Sequence, residues 1–147
     1  MEEKIVNWIK EYVKNSNAKG VVVGNSGGKD SAAVIALCAK ALGKENVLAV
    51  IMPCKGKKED VEDAELVASI TGVKSMIVDL DNVYDNFEEA IKIGLNEEAK
   101  INIKPRLRMT VLYAIAQTMG YLVCRNRKPI RTICRIYYKM GRQCKRF

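Results

Sequence analysis

Gly20-Val21-Val22-Val23-Gly24-Asn25-Ser26-Gly27-Gly28-Lys29-Asp30-Ser31-Ala32-Ala33 is the stretch on which the fold turns. Gly20 to Gly24 is a short apolar run closed by glycine, the pattern of a strand buried on both faces of a parallel sheet. Residues 30–42, rich in Ala and Leu, predict a helix with Gly43 as its C-terminal stop. The Ser/Gly turn between them is an anion cradle. Its glycines let the backbone approach a phosphate, successive N–H groups point inward, and the helix dipole favours negative charge. Ser26 and Ser31 add hydroxyl donors. A carboxylate here would be repelled by bare phosphate, so Asp30 implies a Mg²⁺ between the two. A plain strand-to-helix turn with a serine cap uses similar residues, but the full SGGxDS string at such a junction favours a nucleotide. The GxxxxGK[ST] spacing of a Walker A loop is absent.

Outward from this loop the chain alternates helix and strand patterns, which predicts an α/β fold with a parallel sheet. Residues 2–16 place Ile5, Trp8, Ile9, Tyr12 and Val13 at helical spacing. Val47 to Met52 is the second strand, stopped by Pro53. Glu59 to Ile70 is a helix with acids in its first turn and Gly72 beyond its end. Val73 to Val78 is the third strand and Val83 to Ile93 a helix. Asn96 to Ile103 reads as a loop, and Pro105 as the first residue of a helix running to Thr118. Tyr121-Leu122-Val123 opens a fourth strand.

Composition narrows the chemistry. There is no histidine, so Ser-His-Asp and Cys-His nucleophiles and Cys/His zinc sites are unavailable. The five cysteines are odd in number and contain no CxxC pair, so they read as reduced, small apolar residues. No apolar run reaches the ~18 residues of a membrane span, and the N-terminus is not signal-like, so a cytoplasmic protein without a membrane partner is expected. The net charge of +8 is unevenly placed. Residues 1–123 hold 16 Lys and Arg against 17 Asp and Glu, whereas residues 124–147 hold the other 9 basic residues and no acid. The basicity therefore belongs to the tail, and a nucleic-acid partner is not expected of the main body.

The SGGxDS loop resembles that of the ATP pyrophosphatases, which cleave ATP between the α and β phosphates. Within that group, three later segments resemble NAD synthetase: Ile51-Met52-Pro53, Glu59-Asp60-Val61-Glu62-Asp63-Ala64, and Asn102-Ile103-Lys104-Pro105-Arg106-Leu107-Arg108-Met109. The resemblance spans residues 20 to about 123. It implies a Rossmann-like parallel sheet with flanking helices, of the adenine-nucleotide α-hydrolase type, incomplete at its C-terminus. It also implies ATP-dependent amidation of deamido-NAD by free ammonia through an acyl-adenylate, releasing AMP and pyrophosphate. On this resemblance Gly24, Asn25, Ser26, Gly27, Gly28, Lys29, Asp30 and Ser31 bind ATP, Asp30 holds Mg²⁺, and Arg106 contacts deamido-NAD. No side-chain nucleophile is called for. The resemblance further implies a homodimer, with residues 104–118 at its interface.

The acids at positions 59, 60, 62 and 63 are assigned no chemistry, being favourable in a helix's first turn by the dipole alone. Asn25 and Lys29 stand where the family has other residues, Lys55-Gly56-Lys57-Lys58 replaces a serine-rich stretch, and Pro105 replaces a small residue. SGGKDS also occurs in sulfur-transfer relatives, so a tRNA-modifying ATP pyrophosphatase is the alternative. A basic module on the tail, with Tyr137, Tyr138 and Phe147 to stack on bases, is a further one.

Residues from about 124 onward are expected to be a frameshifted reading with little stable structure. The family continues there with GTxNxSE, whose threonine binds ATP and whose glutamate binds Mg²⁺, yet this chain has Asn126 and Arg131. Permitted codons for Arg125 to Thr132 (AGG AAC AGG AAA CCG ATC AGA ACT), read one nucleotide later, spell GTGNRSE in register.

Overall fold

A computed structural model describes residues 1–125 and the backbone of residues 135–137. Among the described residues, five α-helices and five strands follow in order: α1 Glu2–Asn15, β1 Val21–Gly24, α2 Lys29–Leu42, β2 Val47–Ile51, α3 Lys58–Thr71, β3 Lys74–Ile77, α4 Asp81–Ala90, α5 Glu97–Met119, β4 Leu122–Arg125 and β5 Arg135–Tyr137. A single 3-10 turn, Lys44–Asn46, leads into β2. The strand order is β3-β2-β1-β4-β5, with β1 to β4 mutually parallel and β5 antiparallel to β4.

The sheet is buried on both faces because successive side chains alternate between them. Val21, Val23, Val47, Ala49, Leu122 and Cys124 pack with Ile9 and Val13 of α1 and Ile35 and Cys38 of α2. Val22, Leu48, Val50 and Val123 face the other way, onto Tyr84 of α4 and Leu112 and Ala116 of α5. This sandwich explains why β1 and β2 read as continuous apolar runs. The third strand differs. All four residues of β3 are exposed, because it is the sheet's edge, where a strand has one neighbour and little cover.

The loop expected over Asn96 to Ile103 is helical instead. Asn96 caps α5, its Oδ1 accepting from Ala99 N at 2.8 Å, and Glu97 and Glu98 complement the dipole in the first turn. Pro105 therefore lies inside a 23-residue helix rather than at its start. A proline there removes the bond its N–H would have made to the carbonyl four residues back. The first two helical turns persist because the cap and the packing of Ile103 and Leu107 on the core hold them.

The few described positions of the tail extend the sheet. The fourth strand continues through Cys124 and Arg125, since β1 offers a ladder partner at Val23 opposite Cys124. Its other edge is then taken by β5. The remaining tail, with Asn126, Arg131, Tyr138 and Phe147, lies outside the described residues. Cys38, Cys54 and Cys124 are buried and in no disulfide, as read, with Cys38 Sγ 3.8 Å from Cys124 Sγ, and Cys134 and Cys144 also fall outside.

Candidate active site

From β1 the chain runs to β2 and β3 on one side and returns as β4 on the other, so β1 and β4 flank a topological switch point. Ligands of open α/β sheets bind outside the carboxyl ends of the strands at such a point. Residues 25–28 leave β1 there and deliver the chain to α2.

Asn25 fixes the loop. It is 3% exposed, its N–H bonds Val50 O at 2.8 Å, and its Nδ2 donates to Ala64 O at 2.8 Å. Its Oδ1 accepts from Gly27 N at 3.1 Å. Gly27 has φ +78°, and a Cβ on it would lie 2.9 Å from both the Asp60 carbonyl oxygen and Asp63 Cβ. Only glycine fits that turn against α3. The Glu59–Ala64 segment thus has a role the sequence reading missed: its backbone is the floor on which the loop rests.

Above this floor the loop offers donors. Ser31 Oγ donates to Gly28 O at 3.0 Å and lies 3.1 Å from Ser26 Oγ. The N–H groups of Ser26 and Gly28 each reach a serine hydroxyl at 3.3 Å. These are long, exposed bonds that an anion could replace. No side chain caps α2 at Gly28, so its first amides and its dipole face the same space. Lys29 and Asp30 are exposed at its start.

Two cavities adjoin the loop. The larger, about 570 Å³, has Ile51, Met52, Pro53, Cys54, Val61, Met109 and Leu112 among its walls, with Asn25, Ser26, Lys57, Asp60, Arg108 and Arg125 at its polar side. The smaller, about 280 Å³, contains Asp30, Ser31 and Arg125. Burial pushes the Cys54 thiol up, an effect that the positive charges of Arg108 and Lys104 oppose, so it is no ready nucleophile.

The two arginines of α5 part company. Arg108 lines the larger cavity, and its Nε donates to Met52 O at 3.0 Å. Arg106 is exposed and bonds its own helix at Asn102 O, 3.0 Å away, without lining either cavity. Residues two apart on a helix point about 200° apart, so only one of the pair could face the cleft. The signal was in the sequence: Arg108, not Arg106, shares a face with Leu112 and Ala116 at four-residue spacing. Among the described residues no group of three or more Cys, Asp or Glu side chains gathers that could hold a metal ion, and Asp30 is the one acid within residues 24–31.

The parallel sheet, with its strand-to-helix loop opening at the switch point onto a cleft of about 570 Å³, defines a Rossmann-like α/β domain with a cleft where such folds bind their ligands. A family model described as NAD synthase matches residues 1–133, past the compositional break at Val123. The chain belongs to the NAD synthase family. The NH(3)-dependent NAD(+) synthetase of Finegoldia magna is 46% identical over 121 residues, covering 82% of this chain and 50% of that protein. That of Carboxydothermus hydrogenoformans is 45% identical over 125 residues, with 82% and 51% coverage. The chain thus spans about half the length of the curated relatives it matches.

Among solved structures, the NH3-dependent NAD synthetase of Campylobacter jejuni, in complex with a nitrate ion, superposes with a TM-score of 0.77 at 36% identity. It covers 83% of this chain and 53% of that one. The NMN synthetase of Francisella tularensis gives 0.78 at 31%, covering 83% and 51%. Among the described residues no helix is long and apolar enough to cross a membrane.

Proposed function

We propose that this chain carries the ATP-cleaving part of an ammonia-dependent NAD synthetase. The observation that carries the reading is the uncapped N-terminus of α2 and the Ser26–Ser31 loop opening directly beside the 570 Å³ cleft. The apolar walls suit an adenine ring, and the loop suits the phosphates. In the reaction, the nicotinate carboxylate of deamido-NAD attacks the α-phosphorus of ATP, pyrophosphate leaves, and ammonia then displaces AMP from the acyl-adenylate to give the amide. The chain's own contribution is positioning and charge neutralisation, so the absence of histidine is no obstacle.

Asp30 fits a Mg²⁺ held mainly by phosphate oxygens, since Mg²⁺ is commonly bound through one or two carboxylates plus substrate phosphates. When bound, the ion would neutralise the departing pyrophosphate. Its only protein ligand in this reading is Asp30. Arg106 as the deamido-NAD contact, a homodimer and a cytoplasmic location belong to the same proposal. The face of α5 that leaves Arg106, Thr110 and Ala114 exposed at four-residue spacing is a surface a second copy would cover.

Titration calorimetry with ATP, with and without Mg²⁺, tests the loop. Asp30→Ala is expected to abolish Mg²⁺-dependent ATP binding and Ser31→Ala to weaken it; undiminished affinity in both variants overturns the assignment. In a protein with the proposed reading frame restored, AMP and pyrophosphate are expected only with deamido-NAD and ammonia present. Arg106→Ala should there chiefly impair deamido-NAD use. AMP formation driven by tRNA would instead select the tRNA-modifying alternative.

A further inference from the structure

The two cavities share four lining residues: Gly24, Ser26, Leu112 and Arg125. Arg125 is the one charged side chain among them. It ends β4, and the ladder that sets Val23 opposite Cys124 brings it level with Gly24, where β1 presents no side chain. A ligand with its base in the apolar cleft and its phosphates toward Asp30 passes the wall that Gly24, Ser26, Leu112 and Arg125 share. None of the ion pairs among the described residues involves Arg125. A partly buried guanidinium beside this loop, sharing its two cavities with Asp30 and Asp60 but in direct ion pair with neither, is placed to take an anion.

We propose that Arg125 is a polyphosphate-binding residue of this chain, gripping the phosphates of ATP from across the loop opposite Ser26. The proposal rests on the nucleotide reading above and adds to it a contact outside the SGGxDS loop. It is peculiar to the chain as it stands, since the shifted reading places glycine at this position. Arg125 is a binding residue, selective for charge: it should distinguish ATP from adenosine, which a purely structural residue would not.

The test is calorimetry of the whole 147-residue chain with Mg-ATP and, separately, with adenosine. Arg125→Gln is expected to weaken Mg-ATP binding by about tenfold or more, the scale of one charge-assisted contact, and to leave adenosine binding within about twofold. Arg125→Lys should retain part of the ATP affinity. Where Arg125→Gln fails to fold, the ratio of ATP to adenosine affinity in Arg125→Lys decides, and an unchanged ratio overturns the proposal. Equal losses for both ligands, or ATP binding unchanged or tightened in Arg125→Gln, overturn it too. Failure of the unaltered chain to bind either ligand would sink the nucleotide reading itself and the assignment with it.

Discussion

At the scale of single residues, two positions hold the loop after β1 in shape. Asn25 uses its amide on Ala64 and Gly27, and Gly27 takes the positive φ that lets the loop lie against α3. Gly27→Ala combines a left-handed backbone with a methyl pressed on backbone atoms of α3. It is expected to cost about 1–3 kcal/mol in urea unfolding and to weaken ATP binding; a fully stable variant with normal ATP affinity would show that the turn is not constrained this way. Cys54 gives a pH prediction. It is 1% exposed, and burial raises its thiol above the ordinary value. A group whose folded value exceeds its unfolded one contributes stability below the unfolded value and loses it as pH rises through the folded one. Stability is therefore expected to fall across the alkaline thiol range, and iodoacetamide to label folded Cys54 far more slowly than the denatured chain. Equal labelling of native and denatured protein at pH 8 would refute the burial argument.

At the scale of elements, the sheet was legible because its strands are doubly buried and punctuated by glycine and proline. β1 and β2 fall within a residue or two of the pattern read from Gly20–Gly24 and Val47–Met52. The helix α5 was only half legible. Pro105 suggested a start, while the true signal was Asn96 followed by Glu97 and Glu98, a cap whose geometry needs no apolar periodicity. Asn96→Ala should remove the bond to Ala99 N and cost about 1 kcal/mol by urea unfolding. Hydrogen exchange should quicken in residues 97–104 and leave the segment after Pro105 unchanged; uniform exchange throughout the helix would mean that the cap does not define this end. The site was legible in its loop motif and less so in its walls. Reading Arg106 and Arg108 by motif assigned a substrate role to the first and none to the second, and helical phase adds Arg108 to the cleft at Met52 while the role proposed for Arg106 stands with its own test. The contact between Gly27 and α3 could not be read from the string, because it joins segments more than thirty residues apart through backbone atoms.

At the scale of the whole molecule, the parallel sheet, the switch point and the phosphate loop form one unit, and charge divides the chain elsewhere. Its body is nearly neutral, with 17 acids through residue 123, and the residues beyond carry none. A folded domain edge rarely loses one sign of charge so abruptly, and a nucleic-acid arm would need no resemblance to a hidden motif in another frame. The seven-residue string GTGNRSE, which permitted codons for Arg125 to Thr132 allow one nucleotide out of phase and in register with the family's next segment, is what a one-nucleotide shift would produce. Described strand β5 does not oppose this, since an exposed strand edge pairs with whatever extended segment is available. The proposal of a frameshift near residue 124 then predicts three things together. Sequencing the locus should reveal an open continuation one nucleotide out of phase. The protein made from the corrected frame should synthesise NAD from deamido-NAD, ammonia and ATP, and the 147-residue chain should not. RNA binding by this chain should be weak, non-selective and erased by moderate salt, the behaviour of an unselected basic segment. A locus with no shifted motif, or NAD synthesis by the purified 147-residue chain, would overturn the proposal and return the tail to the list of parts with a function of their own.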